Sequence, residues 1–196
     1  MAKIKVVTNG TKKDIILNSA AAIFKRKGYR AASLRELADA VGVEAPSLYN
    51  HIGSKAELLQ DICFEVATDY TNHLKIVVES NAKVIDKLAV IIRFHVRKLS
   101  TDFDKVYVSD HEWKQLPQKQ LETFLASRKA YEKSLIELVE QGIAQKELKN
   151  HFPSITVLTI LSAVRGLELR QRHKSEFSIE ELENTMIDLL LNGIKK

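Results

Sequence analysis

Apolar residues recur at three- and four-residue spacing through almost the whole chain, and only seven Gly and three Pro interrupt its 196 residues. That period lines one side of an α-helix, and so few turn formers leave no room for the hairpins of a β-sandwich. An all-α fold is expected. Thr11 stands where it can cap a first helix that carries Ile15, Ile16, Ala20, Ile23 and Phe24 and stops at Gly28. Ser33 and Glu36 have capping-box spacing, and the short helix they open holds Leu34, Leu37, Ala38 and Val41 before Gly42. Pro46 suits the first turn of another short helix, about 45–51, with Leu48 inward and Ser47, Tyr49, Asn50 and His51 on wetter faces. Ser54 and Glu57 repeat the capping-box spacing ahead of a long helix running from Lys55 towards Val78. Further helices are predicted from Val84 to Leu99, over 117–141 with Gly142 as terminator, from Pro153 to about Gln171, and from Ser178 to Gly193. A weaker stretch fills Asp102 to Pro117. The expected organisation is a three-helix N-terminal unit, 1–54, followed by a helical bundle, 55–196.

Charge is distributed unevenly over this plan. Residues 1–60 hold ten Lys and Arg against five Asp and Glu, while the rest of the chain balances twenty against twenty. The whole formal excess of +5 therefore lies in the first third, which points to a polyanionic partner for that part. Cys63 is the only cysteine, so neither a disulfide framework nor a Cys-based zinc cluster is available. No apolar run reaches the roughly 18–20 residues that span a bilayer, and the first ten residues lack a signal-peptide core. A cytoplasmic protein that does not enter membranes is expected.

Helix, glycine turn and short helix form a helix-turn-helix, in which the second helix lies in the major groove of duplex DNA. Tyr49 and His51 are candidates for phosphate contact, and Tyr49 is also able to pack on a thymine methyl. Ser47 and Lys55 are placed for the backbone, Asn50 for sequence preference, and Glu44 and Ala45 for the leading edge of the recognition helix. Ser33 and Arg35, at the head of the bracing helix, complete the DNA-facing set, and Lys3, Lys5, Lys12 and Lys13 form a basic arm. Ile16-Leu17, Ala20-Ala21, Phe24, Gly28-Tyr29, Ala32-Ser33-Leu34, Glu36-Leu37-Ala38, Val41-Gly42-Val43, Ser47-Leu48-Tyr49, His51 and Ser54-Lys55-Glu57-Leu58-Leu59 together resemble the N-terminal signature of the TetR/AcrR repressors. The resemblance covers roughly residues 13–60. Asn50 and Ile52 replace aromatics frequent in that family, and Ala45-Pro46 replaces a common Lys-Gly, so no operator sequence carries over.

The resemblance implies a C-terminal bundle that binds a ligand and dimerises through its last two helices. Independently, 154–171 is apolar on two sides: Ile155, Leu158, Ser162 and Leu169 on one, Val157, Ile160, Leu161, Val164 and Leu167 on the other. The last helix, with Leu182, Met186, Leu189, Leu190 and Ile194, is likewise too apolar for one-sided burial, which favours a homodimer. Candidate pocket residues are the polar His95, Arg128 and Arg165, with Tyr70, Phe94, Phe103, Tyr107, Trp113 and Phe124 as walls. Each of these also has an ordinary structural reading, as a satisfied core histidine, an ion-paired arginine or a packed ring. Glu112-Trp113-Lys114-Gln115-Leu116, Arg128, Tyr131-Glu132 and Gly142 resemble a subgroup responsive to acyl-CoA thioesters, which implies a small hydrophobic ligand of that kind. Enzyme signatures are missing, no cofactor or metal is expected, and Asp110-His111-Glu112 diverge by about 100° per residue on a helix. The leading expectation is a ligand-released repressor of a palindromic operator. A ligand-independent architectural DNA-binding protein and an all-α enzyme are the alternatives.

Overall fold

Along residues 11–172 and 177–195, which a computed structural model of the chain describes, helix follows helix. These are α1 (Lys12–Lys27), α2 (Leu34–Val41), α3 (Ala45–Leu48), α4 (Lys55–Glu79), α5 (Val84–Thr101), α6 (Phe103–His111), α7 (Gln118–Ala144), α8 (Pro153–Gly166) and α9 (Ile179–Leu191). Short 3-10 segments occupy Trp113–Gln115 and Leu167–Arg172. Extended pairing among the described residues is limited to a bridge between Leu148 and Lys195. The all-α expectation holds. Two compact units emerge, Met1–Val66 with Asp104–Phe124, and Ala67–Phe103 with Leu125–Lys196, so the division falls inside α4 and α6 joins the first unit.

In the first unit, α1 starts on a complete capping box. The Asp14 amide donates to Thr11 Oγ1 at 3.3 Å and the Thr11 amide donates to Asp14 Oδ2 at 2.7 Å. The helix buries Ile16, Leu17, Ala20, Ala21, Ile23 and Phe24 and ends at Gly28, whose φ of 80° few other residues adopt. Around it, Leu37, Leu48, Leu58, Leu59 and Ile62 complete a core with almost no exposure. Ion pairs tie the unit's helices together: Lys13 with Asp61 at 2.8 Å, Lys105 with Glu65 at 2.6 Å, and Lys25 with Asp104.

The second unit is built around α5, which buries Val84, Leu88, Ile91, Ile92 and Val96. Leu135, Leu138 and Val139 of α7 and Val157, Ile160 and Val164 of α8 complete its core. Two expectations are corrected here. Gly142 does not end α7, which runs on to Ala144. Instead a Cβ at Gly142 would stand 2.7 Å from Leu148 Cδ1 and 2.8 Å from Val84 Cγ1, so its lack of a side chain allows close packing. The helix opened by Pro153 is α-helical only to Gly166; beyond it the backbone tightens into a 3-10 segment. The opposite sides read from the sequence are otherwise real. Val157, Ile160 and Val164 are buried, whereas Ile155 and Leu158 are 58% and 60% exposed, and Leu189 of α9 is 69% exposed.

Candidate DNA-binding and ligand sites

The helix-turn-helix is assembled by short-range chemistry. Ser33 Oγ accepts the Glu36 amide at 3.2 Å and starts α2. Gly42 ends it in the left-handed conformation, φ 72° and ψ 35°, and the Val43 amide closes the turn on the Ala38 carbonyl at 3.0 Å. Pro46 sits in the first turn of α3, and Glu44 precedes it with no side-chain capping bond. The helical segment expected over 45–51 is shorter than that: α3 ends at Leu48, and beyond it i+3 hydrogen bonds stand beside a single i+4 bond, from the Ile52 amide to the Leu48 carbonyl at 3.2 Å. Asn50 donates to the Ser47 carbonyl at 3.3 Å and His51 to the Leu48 carbonyl at 2.9 Å. Leu48 is fully buried and Tyr49 is 56% exposed, with Asn50, His51, Glu44, Arg35 and Ser33 exposed and Ala45 and Ser47 half-buried. Apart from Lys55, the DNA-facing candidates therefore stand in two places, Ser33 and Arg35 at the head of α2 and Glu44 to His51 along and after α3, where Leu48 is the buried anchor.

Lys55 departs from its expected role. Its Nζ donates to the carbonyls of Tyr29, Arg30 and Ala32 at 2.9, 3.2 and 2.8 Å, and lies 4.6 Å from the centre of the Tyr29 ring. An ammonium has three N–H donors, and these three carbonyls match that number. Lys55 braces the turn between α1 and α2. Glu36 also differs from its expected capping-box role. Its carboxylate pairs with Arg26 Nη2 at 2.8 Å and Lys27 Nζ at 2.9 Å. Hydrogen bonding to Lys27 first, and then to Arg26, holds that carboxyl below the ordinary glutamate range despite opposing desolvation. Lys13, Lys25, Arg26 and Lys27 are thus ion-paired inside the unit. Lys12 and Arg35 remain exposed, and Lys3 and Lys5 lie outside the described residues.

The ligand candidates separate between the two units. Tyr107 stacks on His111 at 4.3 Å, Lys114 Nζ lies 5.5 Å from the Trp113 ring, and buried Phe124 meets Phe64 edge-on at 5.8 Å, all in the first unit. In the second, Tyr70 stacks on His95 at 4.4 Å and meets Phe94 edge-on at 5.7 Å, while His73 stacks on Phe94 at 3.8 Å. His95 Nε2 is 2.7 Å from the Tyr131 hydroxyl. Burial, then the Arg165 and His73 charges, push the His95 imidazolium down to about 3, and burial raises the Tyr131 phenol. At neutral pH the imidazole is therefore uncharged and shares one hydrogen bond with the Tyr131 hydroxyl. Phe103 and Arg128 are half-buried and Arg165 is exposed, in this same unit. A cleft of about 340 Å³ runs between α4 and α7, lined by Leu74, Val78, Tyr131, Ser134, Leu138 and Gln141. His73 and Tyr131 were not among the candidates. Their signal is the i+3 spacing of Tyr70 to His73 and of Arg128 to Tyr131, which puts each pair on one helix face.

Among the described residues, no helix is long and apolar enough to cross a membrane, and no group of side chains could hold a metal ion. Residues 16–62 match the family described as bacterial regulatory proteins, tetR family, and residues 81–194 match the tetracyclin repressor-like C-terminal domain. The HTH-type transcriptional repressor KstR2 of Mycobacterium tuberculosis is 21% identical over 183 residues, covering 92% of each chain. The fatty acid metabolism regulator protein of Bacillus subtilis is 21% identical over 184 residues, 91% of this chain and 93% of its own. Among solved structures, KstR2 superposes with a TM-score of 0.87 at 20% identity, covering 96% of this chain and 97% of that one. AibR, solved in complex with isovaleryl coenzyme A and operator DNA, gives 0.78 at 23% identity, with 91% and 97% covered. With a C-terminal match spanning more than half of its length and the helix-turn-helix match preceding it, the chain belongs to the TetR family and is a ligand-responsive, DNA-binding transcriptional regulator.

Proposed function

We propose that this regulator is a cytoplasmic homodimeric repressor, with residues 1–54 as its DNA-binding domain and 55–196 as its ligand-binding and dimerisation domain. The observation that carries the DNA half is the pairing of fully buried Leu48 with exposed Tyr49, Asn50 and His51 directly after the Gly42 turn. Tyr49 and His51 contact phosphates, Ser33, Arg35 and Ser47 position the backbone, and Glu44, Ala45 and Asn50 face base edges. Affinity then falls steeply with salt as counterions are recaptured by the freed DNA. The exposed apolar stripe of Ile155, Leu158 and Leu189 supports dimerisation through α8 and α9. A two-fold dimer reads an imperfect palindrome, with half-sites about one turn, 34–36 Å, apart.

For the ligand, the uncharged cluster of Tyr70, Phe94, His95 and Tyr131 and the adjoining cleft suit an apolar body carrying a neutral polar group. An acyl-CoA thioester meets that description, with Arg128 or Arg165 as partner for its phosphates. The relatives named for ketosteroid and fatty-acid regulation favour an apolar ligand, and the AibR complex with isovaleryl coenzyme A favours the thioester class. Reversing a 99:1 population needs about 5.5 kcal/mol of ligand preference for the released state, and operator DNA must weaken ligand binding by the same coupling. The test is operator binding, first found by genomic selection, titrated with acyl-CoAs of several chain lengths and with steroid and free-acid controls. Dissociation by a CoA series supports the reading. Ligand binding with unchanged operator affinity would sink the switch, and release only by phosphate-free compounds would sink the CoA assignment.

A further inference from the structure

Helix α5 carries two sets of side chains within little more than one turn. Phe94 and His95 belong to the aromatic cluster, against Tyr70 and His73 of α4 and Tyr131 of α7. Arg93 and Arg97, one helical turn apart, reach instead to α9 and close on the same carboxylate, Glu183. Arg97 Nε donates to Oε1 at 2.5 Å and its Nη2 to Oε2 at 3.2 Å, and Arg93 Nε lies 3.2 Å from Oε2. Glu183 is only 2% exposed, on a helix that otherwise turns Leu189 and Ile179 to the outside.

Stability alone is a poor explanation for a carboxylate in this position. Desolvating it offsets most of what the two cations return, and an apolar residue of similar size would pack there as well. What the charged pair adds is direction. A guanidinium binding both carboxylate oxygens fixes angle as well as distance, and the second arginine fixes the carboxylate from another side. Adjacent helix positions differ by about 100°, so holding Glu183 inward determines which way Leu189 faces. The same five-residue run of α5 thus grips the aromatic cluster and orients the exposed apolar face of α9.

We infer that Glu183 is a positioning residue: through Arg93 and Arg97 it sets the pose of the α9 association face, and through α5 it makes that pose respond to the Tyr70–Phe94–His95–Tyr131 cluster. The inference rests on the proposed homodimer and extends it, because ligand occupancy at the cluster then changes subunit association as well as DNA affinity.

A double-mutant cycle on the full-length protein tests this without a ligand. Sedimentation equilibrium gives the dimer dissociation constant of the wild type, Tyr131→Phe, Glu183→Gln and the double variant, with helical content and melting followed by circular dichroism. Tyr131→Phe removes only the hydroxyl that bonds His95. With the Glu183 contacts intact it should shift the dissociation constant by about 3- to 30-fold, the range reported for residues along a coupling path. In the Glu183→Gln background the same change should shift it less than about 2-fold, because the transmitting joint is gone. Equal shifts in both backgrounds, or none in the wild type, would overturn the inference while leaving the dimer in place. A wild type that stays monomeric at micromolar concentration would remove the dimer reading and this inference together. If Glu183→Gln does not fold, Arg97→Gln, which leaves Arg93 on the carboxylate, runs the same cycle with the same expected loss of coupling.

Discussion

In the unit that holds the helix-turn-helix, the ion-paired carboxylates of Asp61 and Glu36 keep 26% and 25% of their surface in water. In the unit that holds the aromatic cluster, Glu183 keeps only 2% beneath its partly exposed partners Arg93 and Arg97, and His95 is sheltered as a neutral imidazole. Pairs of the first kind contribute little to stability, since water and salt screen them. Their effect is on how much positive potential reaches the DNA. Groups of the second kind are costly to disturb, because any charge created or unpaired there has no water to solvate it. The body's electrostatics are therefore tied to its stability and internal geometry, and those of the DNA-binding unit to affinity.

Leu48→Ala should give the largest effect, because it opens a cavity in the smaller core. A loss of about 2–5 kcal/mol is expected, with operator binding abolished, as measured by denaturant melts and gel shift. If binding survives at wild-type strength, α3 is not held in place by that core. Acidification should act on the other unit. The unfolded chain binds a proton at His95 near 6.5, whereas the folded protein does so only at about 3. Stability is thus full above pH 6.5 and lost as pH falls towards 3, by about 2 kcal/mol between pH 7 and 5. His95→Gln, which stays neutral, should flatten most of that slope in thermal melts, leaving a smaller part from His73, whose imidazolium burial also disfavours.

Lys55→Met is expected to cost about 1–2 kcal/mol, since it withdraws a charged donor from three carbonyls. Its operator affinity should fall in step with the loss of folded protein. A variant of full stability with weakened binding would restore Lys55 as a phosphate contact. The smallest effect on stability belongs to Glu36→Gln, because water and salt screen the ion pairs it removes. Its signature lies in salt dependence: with Arg26 and Lys27 released, the slope of log affinity against log salt should steepen by about one to two counterions. An unchanged slope would mean that these two cations do not reach the DNA even when unpaired.

What the sequence made legible follows from the range of the interactions. Thr11 capping, the Gly42 turn, the inward Leu48 and the outward Tyr49 depend on neighbours within four or five residues, and all are as expected. The bracing contacts of Lys55 are not legible in the sequence, because its partners are the carbonyls of Tyr29, Arg30 and Ala32, more than twenty residues upstream and invisible to any local pattern. Glu36 was read by its spacing to Ser33, yet Arg26 and Lys27 on a different helix offer it stronger, charged partners. The nine ligand candidates shared only composition. Tyr70, Phe94 and His95 meet because α4 and α5 pack together, while Tyr107, Trp113 and Phe124 belong to the first unit. Helix periodicity predicts faces and says little about which faces meet.

Gly142 constrains how this architecture can be adapted to new ligands. With Val84 and Leu148 filling the space where a methyl would go, α7 and the start of α5 are already at minimum separation near Gly142. Any larger residue there must displace the Leu148 and Val84 side chains, and such overpacking would cost about 1–3 kcal/mol. Tyr131, eleven residues earlier on the same helix, borders the cleft and is under no such restriction from Gly142. A library meant to test the proposed ligand site therefore samples Ser134 and the facing turn of α4 around Leu74, with Gly142 held constant.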